Sequence, residues 1–270
     1  ESIIKPLSYW RNNVIATINL LEIMDQFNCK SLVFSSSATV YEPKDNLILN
    51  ESSRLGPINP YGSTKHTIEI LLKDLFKSSV NYWKFACLRY FNPIGAHESG
   101  LIGESPVIPY NIMPVIADVL NQKREFLEIF GNDYPTHDGT CVRDYLHIQD
   151  LVDGHLMALT YLKENKGIEA FNLGTGKGIS VLDLISKFEE VTEKKIKIKF
   201  SARREGDVST LYTNPDKALK LLSWKTQRDL HTMCEDTWRW LRNHPNGLKW
   251  AKRQAYVPKL NEVLELWQVL

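Results

Sequence analysis

A strand, a connection that contains a helix, and a second strand follow one another in the first third of the chain. The apolar run SLVFSSS at 31–37 predicts a buried strand, and FACLRYFN at 85–92 predicts a second one. Residues 60–77 between them show apolar positions at helical spacing. A strand–helix–strand unit requires parallel strands and a right-handed crossover, and this requirement constrains the fold more than any other feature of the sequence.

The rest of the chain continues the alternation of helices and strands. Helical patterns occupy 9–27, 113–123, 147–163 and 181–191, and short strand patterns occupy 127–131, 170–174 and 195–200. No internal repeat or low-complexity tract interrupts this order. We therefore expect an α/β fold built on a parallel sheet.

The composition excludes several functional classes. With 43% hydrophobic residues, 24% charged residues and a net charge of +1, the chain has no basic excess that favours nucleic acid. No apolar run reaches the ~18 residues of a membrane helix. The four cysteines are widely spaced and form no C-x-x-C pair, which predicts reduced thiols and a cytoplasmic location.

Tyr61 and Lys65 lie four residues apart at the start of the helix predicted from residue 60. Asn59 is a good N-cap and Pro60 suits the first helical position, so both side chains are expected on one face of the first turns. A free tyrosine has a pKa of ~10, and a nearby lysine charge and the helix N-terminus should lower the pKa of Tyr61. The pair can then exchange a proton with a substrate hydroxyl, although the same spacing, continued by Ile68, also fits simple packing.

Ser37 and Thr39 lie near the carboxyl end of the first predicted strand. The carboxyl ends of parallel strands are where α/β sheets bind ligands, so these hydroxyls are expected near the Tyr61 helix. A hydroxyl-rich turn without catalytic function is the alternative interpretation. A serine and a tyrosine that share one substrate oxygen form an arrangement suited to oxidation of an alcohol.

Several segments, in order and at matching spacing, resemble the UDP-glucose 4-epimerase family of extended short-chain dehydrogenase/reductases. They are FSSSATVY, NPYGSTK, LRYFNPIGAH, IFGNDYPTHDGTCVRDYLHIQDLVDGH, NLGTGKGISVLD and RREGDV. The resemblance covers residues 1–247. It implies NAD as cofactor, UDP-glucose and UDP-galactose as substrates, no nucleic-acid or membrane partner, and a homodimer.

The resemblance also implies roles for individual residues. Tyr61 resembles the base that takes the proton of the sugar 4-hydroxyl, Lys65 the residue that lowers its pKa and holds the nicotinamide ribose, and Ser37 the partner at O4. Asn12 and Tyr90 match positions near the cofactor, and Thr39 matches a sugar contact. The positions that match the UDP-sugar pocket are Asn92, Asn111, Ile112, Arg143, Arg204 and Asp207. Ion pairing of Arg143 with Asp144, or of Arg204 with Glu205, is the alternative for the two arginines.

The family's glycine-rich turn for the dinucleotide pyrophosphate has no counterpart near the start of this chain. Because the chain begins with Glu1 inside a helical pattern, we expect an N-terminally truncated sequence with low NAD affinity, belonging to a longer epimerase. Gly174, Gly176 and Gly178 form a G-x-G-x-G pattern, which we interpret as a turn before a helix and not as a displaced cofactor site.

These patterns predict a partial NAD-binding Rossmann-type parallel sheet at 1–92 and a smaller α/β UDP-sugar-binding domain at 93–247, some of whose segments return to the first domain. Residues 248–270 depart from the family, and those beyond Pro258 are expected to form a short amphipathic helix. Two other functions remain open at this point. One is a non-catalytic UDP-sugar-binding chain without a competent NAD site, and the other is a different UDP-sugar-modifying member of the same superfamily.

Overall fold

The computed structural model describes residues 1–44, 47–78, 82–106, 108–204 and 206–248. The helix expected beyond Pro258 therefore lies outside the described residues. The helices are α1 (Pro6–Tyr9), α2 (Ala16–Gln26), α3 (Pro60–Ser78), α4 (Ile112–Leu120), α5 (Ile148–Glu164), α6 (Val181–Thr192), α7 (Asp216–Leu222) and α8 (Leu230–Asn243). A π-helical segment (Trp10–Ile15) joins α1 to α2, and a 3₁₀ turn (Ala38–Val40) follows the first strand.

The strands form parallel and mixed sheets, as expected for an α/β fold. Their bounds are β1 (Ser31–Ser35), β2 (Leu47–Leu49), β3 (Lys84–Tyr90), β4 (Asn92–Ile94), β5 (Leu127–Phe130), β6 (Val142–Arg143), β7 (Tyr145–His147), β8 (Gly167–Leu173), β9 (Ile179–Ser180), β10 (Ile198–Ser201) and β11 (Thr210–Thr213). One sheet has the order β1-β3-β8 with every pair parallel, which confirms the predicted strand–helix–strand unit. A second sheet has the order β2-β11-β6-β9, and β10 pairs with β5 and β4 with β7.

The parallel sheet is covered on both faces, which explains why its strands are continuously apolar. On one face, α2 and α3 pack against β1 and β3 through a cluster that includes Leu21, Phe34, Ile68 and Phe85. On the other face, α5 and α7 pack against β3 and β8. A further apolar cluster joins α4, β5, α6 and α8. Within the described part of the chain, no helix is both long and apolar enough to cross a membrane.

His147 ends β7 and caps α5 from a fully buried position. Its Nδ1 accepts a hydrogen bond from the Gln149 amide at 3.0 Å, so its Nε2–H is free to donate to Asp236 Oδ2 at 3.2 Å. Burial lowers the pKa of His147, and the opposing attraction of Asp236 is smaller. The folded protein therefore holds this imidazole neutral.

We predict that the free energy of unfolding decreases as the pH falls below about 6.5, the ordinary pKa of histidine. Below that pH the unfolded chain binds a proton that folded His147 does not, and this difference favours unfolding until the lowered folded pKa is reached. Urea unfolding at several pH values between 5 and 8 measures the dependence. In His147→Gln the slope should flatten, whereas the exposed His137→Gln control should keep it. An unchanged slope in His147→Gln would refute this assignment.

Candidate active site

Helix α3 begins where the sequence predicts and presents the Tyr61 face toward the end of β1. The Gly62 amide donates to Asn59 Oδ1 at 2.8 Å, which confirms the predicted cap. Ile68 and Leu72, further along the helix, are fully buried. Packing therefore accounts for the apolar stripe from Ile68 onward, and it holds the first turn of α3 in place.

Ser37 lies in extended backbone immediately after β1, next to the 3₁₀ turn. Its Oγ accepts hydrogen bonds from the Thr39 amide at 3.2 Å and from Thr39 Oγ1 at 3.0 Å. Two accepted bonds occupy both lone pairs of the hydroxyl oxygen, so its own proton is left to be donated. The Ser37 hydroxyl is close enough to Tyr61 to lower the pKa of its phenol. A Cβ on Gly62 would lie 2.4 Å from the Thr39 carbonyl oxygen, which confirms that the strand end and the helix meet.

The pKa of Tyr61 differs from the expected direction. Burial raises it, the neighbouring Tyr90 raises it further, and the hydrogen bond from Ser37 lowers it by less. Lys65 is not among the causes, because its Nζ donates to the Ser35 carbonyl oxygen at 2.9 Å and lies 5.7 Å from the Tyr61 ring centroid. Burial also lowers the pKa of Lys65, since it disfavours the charged amine.

The adjacent residues Asn12 and Asn13 occupy different environments. Asn12, which the resemblance places near the cofactor, is exposed and donates only to Asn13 Oδ1 at 3.0 Å. Asn13 Nδ2 instead reaches Thr64 Oγ1 on α3 at 2.9 Å. Sequence reasoning missed Asn13 and Thr64. No local pattern indicated this pair, because Asn13 lies in the π-helical segment and Thr64 is 51 residues away in sequence.

Two adjacent cavities meet at the end of the parallel sheet. The smaller, about 230 Å³, is lined by Ser37, Thr39 and Tyr90. The larger, about 500 Å³, is lined by Asn111, Ile112 and Arg204. Residues that line both cavities define a neck between them: Asn92, Arg143 and Asp207. Apart from Asn12, Tyr61 and Lys65, every residue singled out from the sequence lines one cavity or both.

Arg143 is fixed at the neck by backbone contacts. Its Nη1 donates to the carbonyl oxygens of Val142 and Val208, both at 2.9 Å, and its Nη2 lies 3.4 Å from Asp207 Oδ1. The alternative pairing with Asp144 does not occur, because Asp144 is buried and bonds elsewhere. A guanidinium held in this way retains donors for an anion in the cleft.

Arg204 extends the positive charge into the larger cavity. Its guanidinium carbon lies 3.7 Å from the centroid of the Phe130 ring, within the range of a cation–π contact. Glu205, its alternative ion-pair partner, lies outside the described residues. At the far wall, Asn111 Nδ2 donates to Glu104 Oε1 at 2.9 Å, and Ile112 begins α4. The larger cavity therefore combines cationic and apolar walls, as a nucleotide requires.

The Gly174–Gly178 turn binds an internal carboxylate. The amides of Thr175, Gly176 and Thr213 donate to Asp144 at 2.8, 3.1 and 3.2 Å. A Cβ at Gly174 would approach Asp144 Oδ2 to 2.6 Å, so this carboxylate fills the turn. The amides of Thr175, Gly176 and Lys177, at the centre of the turn, are therefore already bonded within the protein and are not available to a second anion. The turn joins β8 to β9 and leads into α6, as expected from the sequence.

Comparisons with known proteins agree with this geometry. A sequence model of the family described as GDP-mannose 4,6 dehydratase matches residues 1–237. The UDP-glucose 4-epimerase of Bos taurus is 51% identical over 249 residues, which cover 92% of this chain and 71% of that protein. The chain belongs to the UDP-glucose 4-epimerase family. The epimerase of Bacillus subtilis is 48% identical over 253 residues, covering 93% of this chain and 74% of that protein.

Solved structures of family members have the same fold. A UDP-glucose 4-epimerase from Stenotrophomonas maltophila, with bound NAD and formylated UDP-arabinopyranose, matches with a TM-score of 0.86 at 44% identity, covering 90% of this chain and 72% of that one. The enzyme from Bifidobacterium longum, in complex with NAD⁺ and UDP, also gives 0.86, at 40% identity, covering 92% and 74%. The epimerase-family chain described here therefore spans about 70% of the length of these relatives, within a Rossmann-type α/β fold.

Proposed function

We propose that this chain carries the catalytic residues and the UDP-sugar site of a UDP-glucose 4-epimerase, which interconverts UDP-glucose and UDP-galactose. The observation that carries the proposal is the arrangement of the two cavities. Ser37, which lies near Tyr61, lines the smaller cavity, and Arg143 lines both cavities at the neck between them. A sugar at one end, a diphosphate at the neck and a nucleoside at the other end fit this order.

In this proposal, side chains of this protein accept and return the proton of the sugar 4-hydroxyl. Tyr61 takes the proton when the C4 alcohol becomes a ketone and returns it when the alcohol forms again. The pKa of Tyr61 is raised in the free protein, and the positive charge of a bound nicotinamide would act in the opposite direction. Ser37 donates a hydrogen bond to the same oxygen, because Thr39 occupies its lone pairs. Thr39 and Asn92 line the path along which the sugar turns, while Arg143 and Arg204 hold the diphosphate in place.

Part of the NAD site fits the residues present. Lys65, Tyr61 and Ser37 would hold its nicotinamide ribose, with Tyr90 and Asn12 nearby, and when bound it supplies the acceptor and donor of hydride at C4. In the Gly174–Gly178 turn, the amides of Thr175 and Gly176 bond to Asp144 and that of Lys177 bonds to Thr175 Oγ1, so these three do not hold its pyrophosphate. We therefore propose that residues 1–270 bind NAD⁺ with a Kd above roughly 100 µM. Equilibrium dialysis measures it, and submicromolar binding would refute this part of the proposal.

Arg143→Ala is predicted to weaken UDP binding about 10- to 100-fold, because a hydrogen bond to a charged group contributes ~1.5–3 kcal/mol. Isothermal titration with UDP measures the affinity. Arg203→Ala is the matched control, since Arg203 lies beside Arg204 but pairs with Asp133, away from the neck. Equal UDP affinity in Arg143→Ala and the parent would exclude Arg143 as the diphosphate contact.

The activity is tested directly by incubating the protein with UDP-galactose and excess NAD⁺ and separating the nucleotide sugars by chromatography. We expect UDP-glucose to form. Binding of UDP-galactose without conversion would overturn the proposal and favour a UDP-sugar-binding chain without catalysis. A dehydrated or decarboxylated product would instead assign the site to a different UDP-sugar-modifying reaction.

The proposed reaction belongs to galactose metabolism, and we place it in the cytoplasm on the basis of four unpaired thiols, three of them buried. We further propose a homodimer. Ile70 on α3 and Ile23 on α2 are about half exposed, so neighbouring helices present apolar side chains that a second copy could cover. The proposed division into 1–92 and 93–247, with 248–270 as a tail, is supported by separate apolar clusters under β1–β3 and α4–α8.

A further inference from the structure

A buried carboxylate lies on α3 two turns after Tyr61. Glu69 is 7% exposed and forms a two-pronged ion pair with Arg89, which is 5% exposed. Arg89 Nε lies 2.9 Å from Glu69 Oε1, and Arg89 Nη2 lies 2.5 Å from Glu69 Oε2. Burial of two charges has a large desolvation cost, so such a pair is weak evidence for a purely stabilising role.

The same carboxylate also holds the residue before Ser37. Ser36 is fully buried, and its Oγ donates to Glu69 Oε1 at 2.5 Å. One oxygen of Glu69 therefore receives bonds from both Ser36 on the β1 side and Arg89 on β3. Any movement of α3 relative to the end of β1 stretches this contact.

Arg89 extends the network to the other wall of the site. It precedes Tyr90, which lines the smaller cavity and raises the pKa of Tyr61. Its Nη1 donates to the Tyr41 hydroxyl at 3.1 Å, and that hydroxyl donates to Asn172 Oδ1 at 2.6 Å. Glu69 on one side and Tyr41 on the other therefore fix the position of Arg89.

We propose that Glu69 is a positioning residue for the epimerase site, which holds Ser36 and Arg89 so that their neighbours Ser37 and Tyr90 keep their places around Tyr61. The catalytic part of this inference rests on the proposed function, whereas the contacts of Glu69 are those of the protein without substrate. The alternative is an ion pair that stabilises the fold and leaves the site unaffected.

Ser36→Ala separates these two possibilities. The change removes the bond between β1 and Glu69 while the ion pair and every charge around Tyr61, including Lys65, stay in place. A loosened Ser37 stabilises the Tyr61 phenolate less, so the pKa of Tyr61 should rise.

The pKa is measured by NMR of protein labelled with ¹³Cζ-tyrosine, with the Tyr61 signal assigned by its loss in Tyr61→Phe. We expect a rise of at least about 0.5 unit in Ser36→Ala. Thr192→Val is the control, because it removes a buried hydroxyl that donates to the Phe188 carbonyl and accepts from the Lys194 amide, far from the site. An unchanged Tyr61 pKa in Ser36→Ala would overturn the positioning role.

Turnover provides a second readout, because an ion pair that only stabilises the fold would not lower kcat while KM stays the same when Ser36 is replaced. With NAD⁺ in excess, Ser36→Ala should lower kcat for UDP-galactose about 10-fold and leave KM unchanged, because the UDP contacts lie across the neck. Equal kcat in variant and parent would also contradict the proposal. If the parent itself shows no turnover, the proposed function fails, and the NMR result still decides the role of Glu69.

Discussion

Tyr61→Phe is expected to lower kcat for UDP-galactose by about 10²- to 10⁴-fold, the usual contribution of a positioned acid or base. The substitution removes only the phenolic oxygen that is within reach of Ser37. The ring remains, so its edge-on contact with Tyr9, at 6.2 Å between centroids, is kept. Stopped assays with excess NAD⁺ and chromatographic detection of UDP-glucose measure the loss.

Two comparisons make this result specific. Tyr9→Phe removes a neighbouring phenol and should leave kcat within about twofold of the parent, because Tyr9 affects the Tyr61 pKa less than burial, Tyr90 and Ser37 do. UDP affinity should be the same in Tyr61→Phe and the parent, since the larger cavity does not include Tyr61. Retention of parental kcat in Tyr61→Phe would exclude Tyr61 as the base.

Gly62→Ala is expected to be the next most damaging change at the site. A Cβ on Gly62 would lie 2.4 Å from the Thr39 carbonyl oxygen and 3.0 Å from Pro57 Cβ. Neither the Thr39 backbone nor the rigid Pro57 ring can yield easily, so α3 must move away from the Ser37–Thr39 turn. We predict a loss of ~1–3 kcal/mol in the free energy of unfolding from overpacking and at least roughly a 10²-fold loss of kcat from misplacement of Tyr61.

The adjacent substitution Ser63→Ala is the control for Gly62→Ala, since Ser63 is on the same helical turn and is only partly buried. Urea unfolding and kcat should both stay close to those of the parent. A Gly62→Ala protein with parental kcat would show that the close approach of α3 to the Thr39 turn is not needed for catalysis.

The strands and the helix that position Ser37 and Tyr61 were predictable, because their local sequence patterns agree with the side chains that the fold buries. The apolar runs of β1 and β3 lie inside a sheet covered on both faces, and Asn59 caps the helix between them. The carboxyl ends of parallel strands lie at the same edge of a sheet. The proximity of Ser37 to Tyr61 was therefore predictable from the order of the strand and the helix in the sequence.

Other features depend on contacts between residues far apart in sequence. The predicted lowering of the Tyr61 pKa was wrong because Lys65 binds the Ser35 carbonyl and burial dominates. The occupation of the glycine turn by Asp144 joins positions about 30 residues apart, which no local pattern records. The ion pair of Glu69 with Arg89 likewise joins positions 20 residues apart and leaves no local sequence pattern.

The central claim is that this site oxidises and reduces the sugar at C4 while Tyr61 carries the O4 proton. The most direct test uses UDP-galactose with deuterium at C4, incubated with the protein and NAD⁺ in ordinary water, with the product examined by mass spectrometry. We predict UDP-glucose that keeps the deuterium, because the hydride returns to the carbon it left. Product that has exchanged the label with water, or no UDP-glucose at all, would contradict the account.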